Sequence, residues 1–165
     1  MPRSWFLVQA KTGQEALAEA NLRRQGYETF LPRICRTVRH ARRTRVETPA
    51  HFPGYLFVSF DPDVDRWRNI GHTLGVVRLI TGLERPLRVP YGVVEMLRAR
   101  CDARDVVDLS EGLQTGDAVK VVQGPFTDQI GLIERLIGDD RVQVLISLLN
   151  AERPVQLDRK ACEAA

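Results

Sequence analysis

The residues that could bind a metal ion are the three histidines and one run of acidic residues. Each of the three histidines is isolated from any cysteine, aspartate or glutamate at metal-ligand spacing: His40, His51 and His72. The run DPDVD at 61–65 resembles the start of a calcium loop. However, Arg66 stands where that loop needs glycine, and His72 where it needs an acidic residue. The run is better explained as a helix start facing the positive end of the helix dipole, so we expect no metal site.

Nucleophile and cofactor motifs are also missing from the sequence. The chain contains no GxGxxG, no phosphate loop and no nucleophile elbow. Ser110/Glu111 and Cys35/His40 stay open as reactive pairs, but neither has a third partner to orient the base. The cysteines are odd in number and widely spaced, which indicates reduced structural thiols: Cys35, Cys101 and Cys162. The sequence therefore predicts a protein that is not an enzyme and has no cofactor.

Phosphate binding is a chemistry that the basic residues do favour. Six arginines and no acidic residue lie between Glu28 and Glu47: Arg33, Arg36, Arg39, Arg42, Arg43 and Arg45. Guanidinium groups fit phosphate oxygens, and several such contacts give salt-dependent binding with little sequence preference. A solvated hairpin tip is the alternative that stays open. A second basic group, for which capping or solvation is an equally good explanation, consists of Lys11, Arg23, Arg24 and Gln25.

An aromatic-rich run, HFPGYLFVSFDP at 51–62, has the composition of either a core strand or a docking surface. Pro53-Gly54 predicts a tight turn before the strand. Alternation then places Tyr55, Phe57 and Ser59 on one face, and the aliphatic residues with Phe60 on the other. The Tyr–Phe–Ser face suits a half-exposed apolar hollow for a helix of another protein, although the pattern alone favours a core.

The elements that would position these residues indicate an α+β fold, with helices packed on a mostly antiparallel sheet. Apolar periodicity and breaker residues predict strands at 5–10, 27–34, 54–60, 76–81 and 86–90, a hairpin with its tip at 40–45, and helices at 14–25, about two turns from 63, and 91–101. The strand at 54–60 is apolar on both faces, as expected at the centre of a sheet. Gly26 is a natural end for the first helix.

A change of composition predicts two domains. Residues 1–101 form the first, the acidic stretch 102–113 reads as a linker, and 114–165 alternate short strands and turns, which suits a small five-stranded β-barrel. Residues 1–113 carry eighteen basic and thirteen acidic side chains, whereas 114–165 carry six and eight, so different partners are expected. The longest early apolar run is too short for a membrane span or signal peptide, which predicts a cytoplasmic protein.

Several stretches taken in order resemble the NusG family of transcription elongation factors, across essentially the whole chain. They are WFLVQAKTGQE, LRRQGYETFLPRI, HFPGYLFVSFD, LGVVRLITG and GDAVKVVQGPFTDQIGLIERL. Residues of the family's KOW motif have counterparts in Gly116, Val119, Val121, Gly124, Pro125, Phe126, Asp128, Gly131 and Ile133. FPGY followed by a KOW motif is highly specific. The run FPGYLFVSFDPDV is most similar to the RfaH-type specialised antiterminators of the family.

This resemblance implies a non-enzymatic, monomeric regulator that binds RNA polymerase. An apolar depression on the N-terminal domain would bind the clamp helices of the largest (β′) subunit, and by position it falls on Tyr55, Phe57 and Leu97. A second contact would reach the second-largest (β) subunit, where the RfaH-type HTT is replaced by Arg66-Trp67-Arg68. Bridging the two would favour the closed, pause-resistant clamp.

The resemblance also implies nucleic-acid and KOW-domain partners. Positions that contact the non-template DNA strand in RfaH-type proteins correspond to Lys11, Asn21, Arg24, Gln25 and Thr73. Three arginines of the basic run are predicted to bind nucleic acid as well, because of their charge: Arg39, Arg42 and Arg43. The SH3-like KOW barrel would recruit the ribosome, through a small-subunit protein, or Rho, using Phe126, Leu148 and Leu149. RfaH-type proteins can instead fold this domain as a helical hairpin, but Gly131, Gly138, Pro154 and the run VQVLI favour strands. A general NusG factor, or a plain RNA- or ribosome-binding KOW protein, are the alternatives.

Overall fold

A computed structural model describes residues 2–165, which form two compact units. The first unit comprises residues 2–33 and 49–107, and the second comprises residues 34–48 and 108–165. The division at 107/108 falls inside the stretch expected to be a linker. The arginine-rich hairpin belongs, by its contacts, to the second unit.

The first unit is built on an antiparallel four-stranded sheet. Its strands are β1 (Ser4–Ala10), β2 (Glu28–Phe30), β5 (Tyr55–Phe60) and β6 (Val76–Leu79), in the order β2-β5-β1-β6. Strand β5 therefore has a neighbour on each side, which confirms the central position expected from its two apolar faces. Leu56, Val58 and Phe60 are fully buried on one face of β5.

One helix packs on each face of this sheet. Helix α1 (Glu15–Arg24) packs on the face of β1 that carries Phe6 and Val8, and Gly26 follows it with a φ of 92°. Helix α2 (Val93–Ala99) packs on the opposite face. Val94 and Leu97 of this helix, and Cys101 just beyond its end, lie in one apolar cluster with Phe57. The predicted α+β architecture is confirmed.

The second unit is a five-stranded antiparallel barrel with a hairpin. The barrel strands are β7 (Ala118–Val121), β8 (Ile130–Ile137), β9 (Arg141–Leu148), β10 (Ala151–Asp158) and β11 (Cys162–Ala164), in the order β10-β9-β8-β7-β11. The hairpin pairs β3 (Arg36–His40) with β4 (Arg43–Glu47). A Cβ on Gly131 of β8 would overlap the carbonyl oxygen of Leu145 on the paired strand β9, so this position admits only glycine. The predicted barrel of strands is therefore confirmed.

Two local predictions were wrong. The segment from residue 63 forms a 3₁₀-helix at Trp67–His72 instead of an α-helix. The stretch 86–90 is not a strand; its bridges, Phe6 with Arg88 and Thr81 with Pro86, are isolated. Within the stretch 102–113, predicted as a linker, Val107, Ser110 and Leu113 are at most 6% exposed. None of the helices formed by residues 2–165 is both long and apolar enough to span a bilayer.

Candidate functional site

The Tyr–Phe–Ser face of β5 is mostly covered by the chain's own core. Phe57 is 7% exposed, and its ring stacks on Phe30 at a centroid distance of 5.9 Å. Val94 of α2 lies in the same buried cluster, and Ser59 is also buried. The expectation that Phe57 lies half exposed in an open hollow is therefore wrong, because α2 covers it.

The open part of this face lies at its Pro-Gly end. Tyr55 is 37% exposed, as a half-open site requires. Phe52 is 39% exposed, and its ring meets Phe57 edge-on at 6.5 Å. Leu97 is half buried at the border of the same cluster. The structure thus offers an apolar surface with Phe57 as its floor and Tyr55 and Phe52 exposed. Phe52 was missing from the predicted site, although it heads the same aromatic run.

A buried carboxylate fixes the turn that presents Tyr55. Oε1 of Glu15, itself 8% exposed, accepts hydrogen bonds from the backbone N–H of Gly54 at 2.8 Å and of Gly13 at 3.2 Å. Gly54 has a φ of 83°, which L-residues with a side chain rarely adopt. Its carbonyl accepts the N–H of Ala10 at 2.8 Å, so the turn is tied to β1 as well. We conclude that the entry angle of β5 is set by Glu15.

Arg98 ties the far end of α2 to the sheet. Its guanidinium lies 4.6 Å from the centroid of the Trp5 ring and 5.2 Å from that of Phe30. It also pairs with Glu28 at 3.0 Å. Cation–π contacts of this kind stabilise by about 0.5–1 kcal/mol at exposed sites. Arg98 therefore helps to hold Leu97, its neighbour, at the border of the aromatic cluster.

The Arg66-Trp67-Arg68 stretch divides between two cavities. Trp67 Nε1 donates to the Pro62 carbonyl at 3.0 Å, and the Arg68 guanidinium stacks on the Trp67 ring at 4.5 Å. Trp67 and Arg68 line an open cavity of about 500 Å³ together with Arg85. Arg66 lines a different cavity of about 370 Å³, beside Tyr27.

Tyr27 belongs to the Arg66 cavity. Its hydroxyl donates to the Arg66 carbonyl at 3.2 Å. Burial raises the pKa of the Tyr27 phenol, and the Asp65 carboxylate raises it further, so the group is a neutral donor at neutral pH. Arg66 and Tyr27 thus line one cavity, whereas Trp67 and Arg68 line the other, so the Arg66–Arg68 stretch does not form one surface.

The residues expected to contact DNA gather around the end of α1 and the loop before β6. Gln25 Nε2 donates to Thr73 Oγ1 at 2.8 Å, and Asn21 Nδ2 donates to the carbonyls of Leu17 at 3.0 Å and Leu74 at 3.4 Å. Lys11 reaches the same loop through its backbone N–H, which donates to the Gly75 carbonyl at 2.9 Å. Lys11, Arg24 and Gln25 are exposed, whereas Thr73 is buried and orients Gln25.

Arg23, by contrast, serves the structure of the first unit. It pairs with Glu19 at 2.9 Å and donates to Thr29 Oγ1 at 2.7 Å. Glu19 is 7% exposed and also lies 3.5 Å from the Arg33 guanidinium. Of the basic residues near α1, Arg23 and Arg33 are thus occupied by a nearly buried carboxylate.

The arginine hairpin has its turn at Ala41–Arg42, inside the predicted tip. Both residues have positive φ, 47° and 63°, in a turn type that usually carries Asn-Gly. Arg42 and Arg43 are exposed. Arg39 instead donates through Nη2 to the carbonyls of Pro125 and, at 3.5 Å, Gly124. The structure therefore separates Arg39 from the other two arginines predicted to bind nucleic acid.

The barrel residues expected to bind a partner differ in exposure. Phe126 and Leu148 are half buried and pack against the barrel core. Leu149 is fully exposed, at the turn between β9 and β10, with a φ of 51°. Asn150 follows with a φ of 63°. Packing within the barrel therefore gives no reason for a leucine in a left-handed backbone conformation at this position.

Two family models match separate ranges of the chain. Residues 3–98 match the family model NusG, described as transcription termination factor nusG. The chain belongs to the NusG family. Residues 115–146 match the KOW motif.

Relatives named NusG match most of the chain. The transcription termination/antitermination protein NusG of Deinococcus radiodurans is 28% identical, over 96% of this chain and 97% of its own. That of Thermus thermophilus is 26% identical, over 96% of each. The solved structure "Domain interaction in Thermotoga maritima NusG" has 21% identity and a TM-score of 0.39, and covers 99% of this chain and 98% of its own.

Thiols and metal ligands add no further site to this NusG family member. Residues 2–165 contain no group of three histidine, cysteine or acidic side chains that could hold a metal ion. Its cysteines are free, and Cys162 is fully buried. Burial raises the pKa of the Cys162 thiol to about 11, with Asp158 adding to the shift, so the group is an unreactive thiol at neutral pH.

Proposed function

We propose that this protein is a transcription elongation regulator that docks on RNA polymerase through the apolar surface around Tyr55. The observation that carries the proposal is that Tyr55 and Phe52, three residues apart at the Pro-Gly turn, are both exposed, with the Phe52 ring edge-on to the buried Phe57. An apolar surface beside a rigid sheet suits the face of an amphipathic helix. The clamp helices of the largest subunit are the proposed occupant, with Leu97 at the border of the contact.

The basic residues near α1 support a second contact, with the non-template DNA strand. Lys11, Arg24 and Gln25 are exposed together, and the Thr73 hydroxyl orients the Gln25 amide. Arginine and glutamine can both hydrogen-bond to base edges as well as to phosphates. Trp67 and Arg68 are proposed to face the second-largest subunit, because they line a surface cavity away from the aromatic cluster.

The barrel is proposed to recruit a further partner of the transcription or translation machinery. Leu149 projects fully into solvent, and Phe126 is partly accessible on the loop after β7. A ribosomal small-subunit protein and Rho are the two proposed partners. Binding assays of the full-length protein with each purified partner distinguish them, and Leu149→Ala is expected to weaken whichever complex forms.

Within the family, we propose the specialised antiterminating kind. Its support is the run FPGYLFVSFDPDV, which resembles RfaH-type proteins. The general factor is the alternative, favoured by Trp67, which replaces the central residue of the RfaH-type HTT, and by relatives named NusG. Genome-wide occupancy on transcribed DNA separates the two: a specialist is found at a few loci, and a general factor at most genes.

In vitro transcription with purified RNA polymerase tests the proposed activity. Addition of the protein is expected to shorten pauses and reduce termination, because it would bind the closed clamp more tightly than the open one. A plain RNA- or ribosome-binding protein would leave both unchanged. Unchanged pausing and termination at saturating protein would contradict the proposal.

A further inference from the structure

The hairpin β3–β4 has two faces of different chemistry, and this difference assigns separate roles to its arginines. Directly paired residues of antiparallel strands lie on one face of the sheet. The pair Thr37/Val46 and the pair Arg39/Thr44 therefore share one face, here called the inward face. The other face, here called the outward face, carries the pairs Arg36/Glu47, Val38/Arg45 and His40/Arg43.

The inward face is bound to the loop that follows β7. The Thr37 N–H donates to the Val122 carbonyl at 2.6 Å, and Thr37 Oγ1 accepts the Gly124 N–H at 3.1 Å. The Thr37 side chain is 7% exposed. Two residues further along the same face, the Arg39 guanidinium donates to the Gly124 and Pro125 carbonyls. Arg39, Thr44 and Val46 of this face are exposed, so burial there is confined to Thr37, and the carbonyl contacts are what direct the Arg39 guanidinium at protein.

The outward face presents the hairpin's remaining strand cations to solvent. Arg36, His40, Arg43 and Arg45 are all exposed. Alternate residues of a strand are about 6.6 Å apart, so the side chains spread over about 13 Å along the hairpin. Glu47 is the one acidic residue of this face, and it lies 2.5 Å from Arg45 Nε at the end remote from the turn. A row of cations of this length fits consecutive phosphates of a nucleic-acid backbone.

We infer that the outward face, with Arg36 and Arg43 as its phosphate ligands and His40 beside them, is a nucleic-acid backbone site, whereas Arg39 is a positioning residue for the loop 122–126. Arg45 is paired with Glu47 and is not counted among the ligands. This inference rests on the nucleic-acid contact of the proposed function and assigns part of it to the second unit. It replaces Arg39 as a predicted nucleic-acid ligand and adds Arg36. The recognition is of phosphate and therefore independent of base sequence.

The test compares Arg43→Gln with Arg39→Gln, which remove the same charge from opposite faces of one hairpin. The probe is a fluorescent 20-nucleotide single-stranded DNA of mixed sequence, titrated with the full-length protein between 50 and 200 mM salt. Arg43→Gln is expected to weaken binding about three- to tenfold and to lower the salt-dependence slope by about one. Arg39→Gln is expected to change affinity less than about twofold, and to shift the amide NMR signals of Gly124 and Phe126. Arg39→Lys, which keeps the charge but removes the planar guanidinium and its fixed N–H donors, should shift the same signals.

Equal weakening by the two glutamine variants would overturn the inference, as would wild-type protein that does not bind the probe. Arg24→Gln separates this result from the α1 contact. If Arg24→Gln weakens binding and Arg43→Gln does not, the hairpin inference falls while the DNA contact of the proposed function stands. Loss of pausing effects in the transcription assay, with hairpin binding intact, would reject the proposed function alone.

Discussion

Tyr55 and Phe57 lie two residues apart on the same face of β5, yet burial gives them different roles. Phe57→Ala removes a ring packed against Phe30, so we expect the first unit to lose about 3–5 kcal/mol of unfolding free energy. Tyr55→Ala removes a ring that is 37% exposed and should cost about 1 kcal/mol. Urea denaturation followed by tryptophan fluorescence measures both, because Trp5 and Trp67 lie in the first unit. Equal losses would contradict the assignment of Phe57 as floor and Tyr55 as contact residue.

Leu149 is predicted to be unfavourable for stability and favourable for binding. A left-handed conformation costs a side-chain-bearing residue about 1–2 kcal/mol, and asparagine tolerates it better. Leu149→Asn should therefore raise the unfolding free energy of the barrel by up to about 1 kcal/mol while weakening its partner complex. Leu132→Asn, at an exposed strand position, is the matched control and should give no such gain. A less stable Leu149→Asn variant would refute this account of the turn.

Cys162 makes the stability of the barrel depend on alkaline pH. Its folded pKa is raised from 9.0 to about 11, so its contribution is complete below about pH 9 and is lost as the pH rises towards 11. The unfolding free energy should fall by roughly 2–3 kcal/mol more in the wild type than in Cys162→Ala across this window. Urea titration followed by the methyl NMR signals of Val142 and Val144 measures the difference. Parallel pH profiles of unfolding free energy for the wild type and Cys162→Ala would show that burial does not raise the pKa of the Cys162 thiol.

At the scale of elements, the turn before β5 depends on a buried charge from another element. Glu15→Gln weakens the hydrogen bonds to Gly54 and Gly13 and should cost about 1–3 kcal/mol. Glu28→Gln, which breaks an exposed pair with Arg98, is the control and should cost about 1 kcal/mol or less. Tryptophan fluorescence during urea denaturation reports on both. If Glu15→Gln is no more harmful than Glu28→Gln, the turn does not depend on this carboxylate.

Most elements could be predicted from the sequence because their periodicity is strong, and the failures have local causes. Strand β5 is apolar on both faces, which only a central strand requires. The segment from residue 63 makes a single helix-like turn, in which the Asp65 N–H donates to the Asp61 carbonyl at 2.8 Å, but the Trp67 N–H then donates to the Asp65 carbonyl at 2.9 Å and so does not continue it. The six residues that remain form a 3₁₀-helix, which suits short segments. The stretch 86–90 begins and ends in proline, which cannot donate to a ladder.

The candidate contact residues follow from residue type, whereas their exposure does not. The aromatic run predicts Tyr55 and Phe57 alike, but that Phe57 is covered depends on where α2 packs, which periodicity within one strand does not specify. Similarly, six arginines predict a basic hairpin, whereas the separation of Arg39 from Arg43 depends on the register of the strands and on the loop after β7. Side-chain alternation along a strand determines which residues share a face, whereas tertiary packing determines which face is covered.

At the scale of the whole molecule, a nucleic-acid contact is proposed for both units, the polymerase contact for the first unit alone, and the recruited partner for the second. Two features suit the barrel to strands. Gly131 leaves room for the backbone of the neighbouring strand, and Val142, Val144 and Ile146 point into the core at every second position. Backbone carbon chemical shifts of residues 130–155 in the free protein should therefore be those of strands. Helical shifts there would contradict this fold for the unbound chain and favour a resting state of the RfaH type.

Docking on the polymerase through the open aromatic rings is tested most directly by capture of purified core RNA polymerase with the immobilised full-length protein. Tyr55→Ala is compared with Tyr91→Ala, which removes the same side chain from a fully exposed position outside the aromatic cluster. Tyr55→Ala should weaken capture at least about tenfold, because truncating a central aromatic contact residue costs about 2 kcal/mol or more. Tyr91→Ala should capture polymerase as well as the wild type does. Undiminished capture by a folded Tyr55→Ala protein would contradict the account.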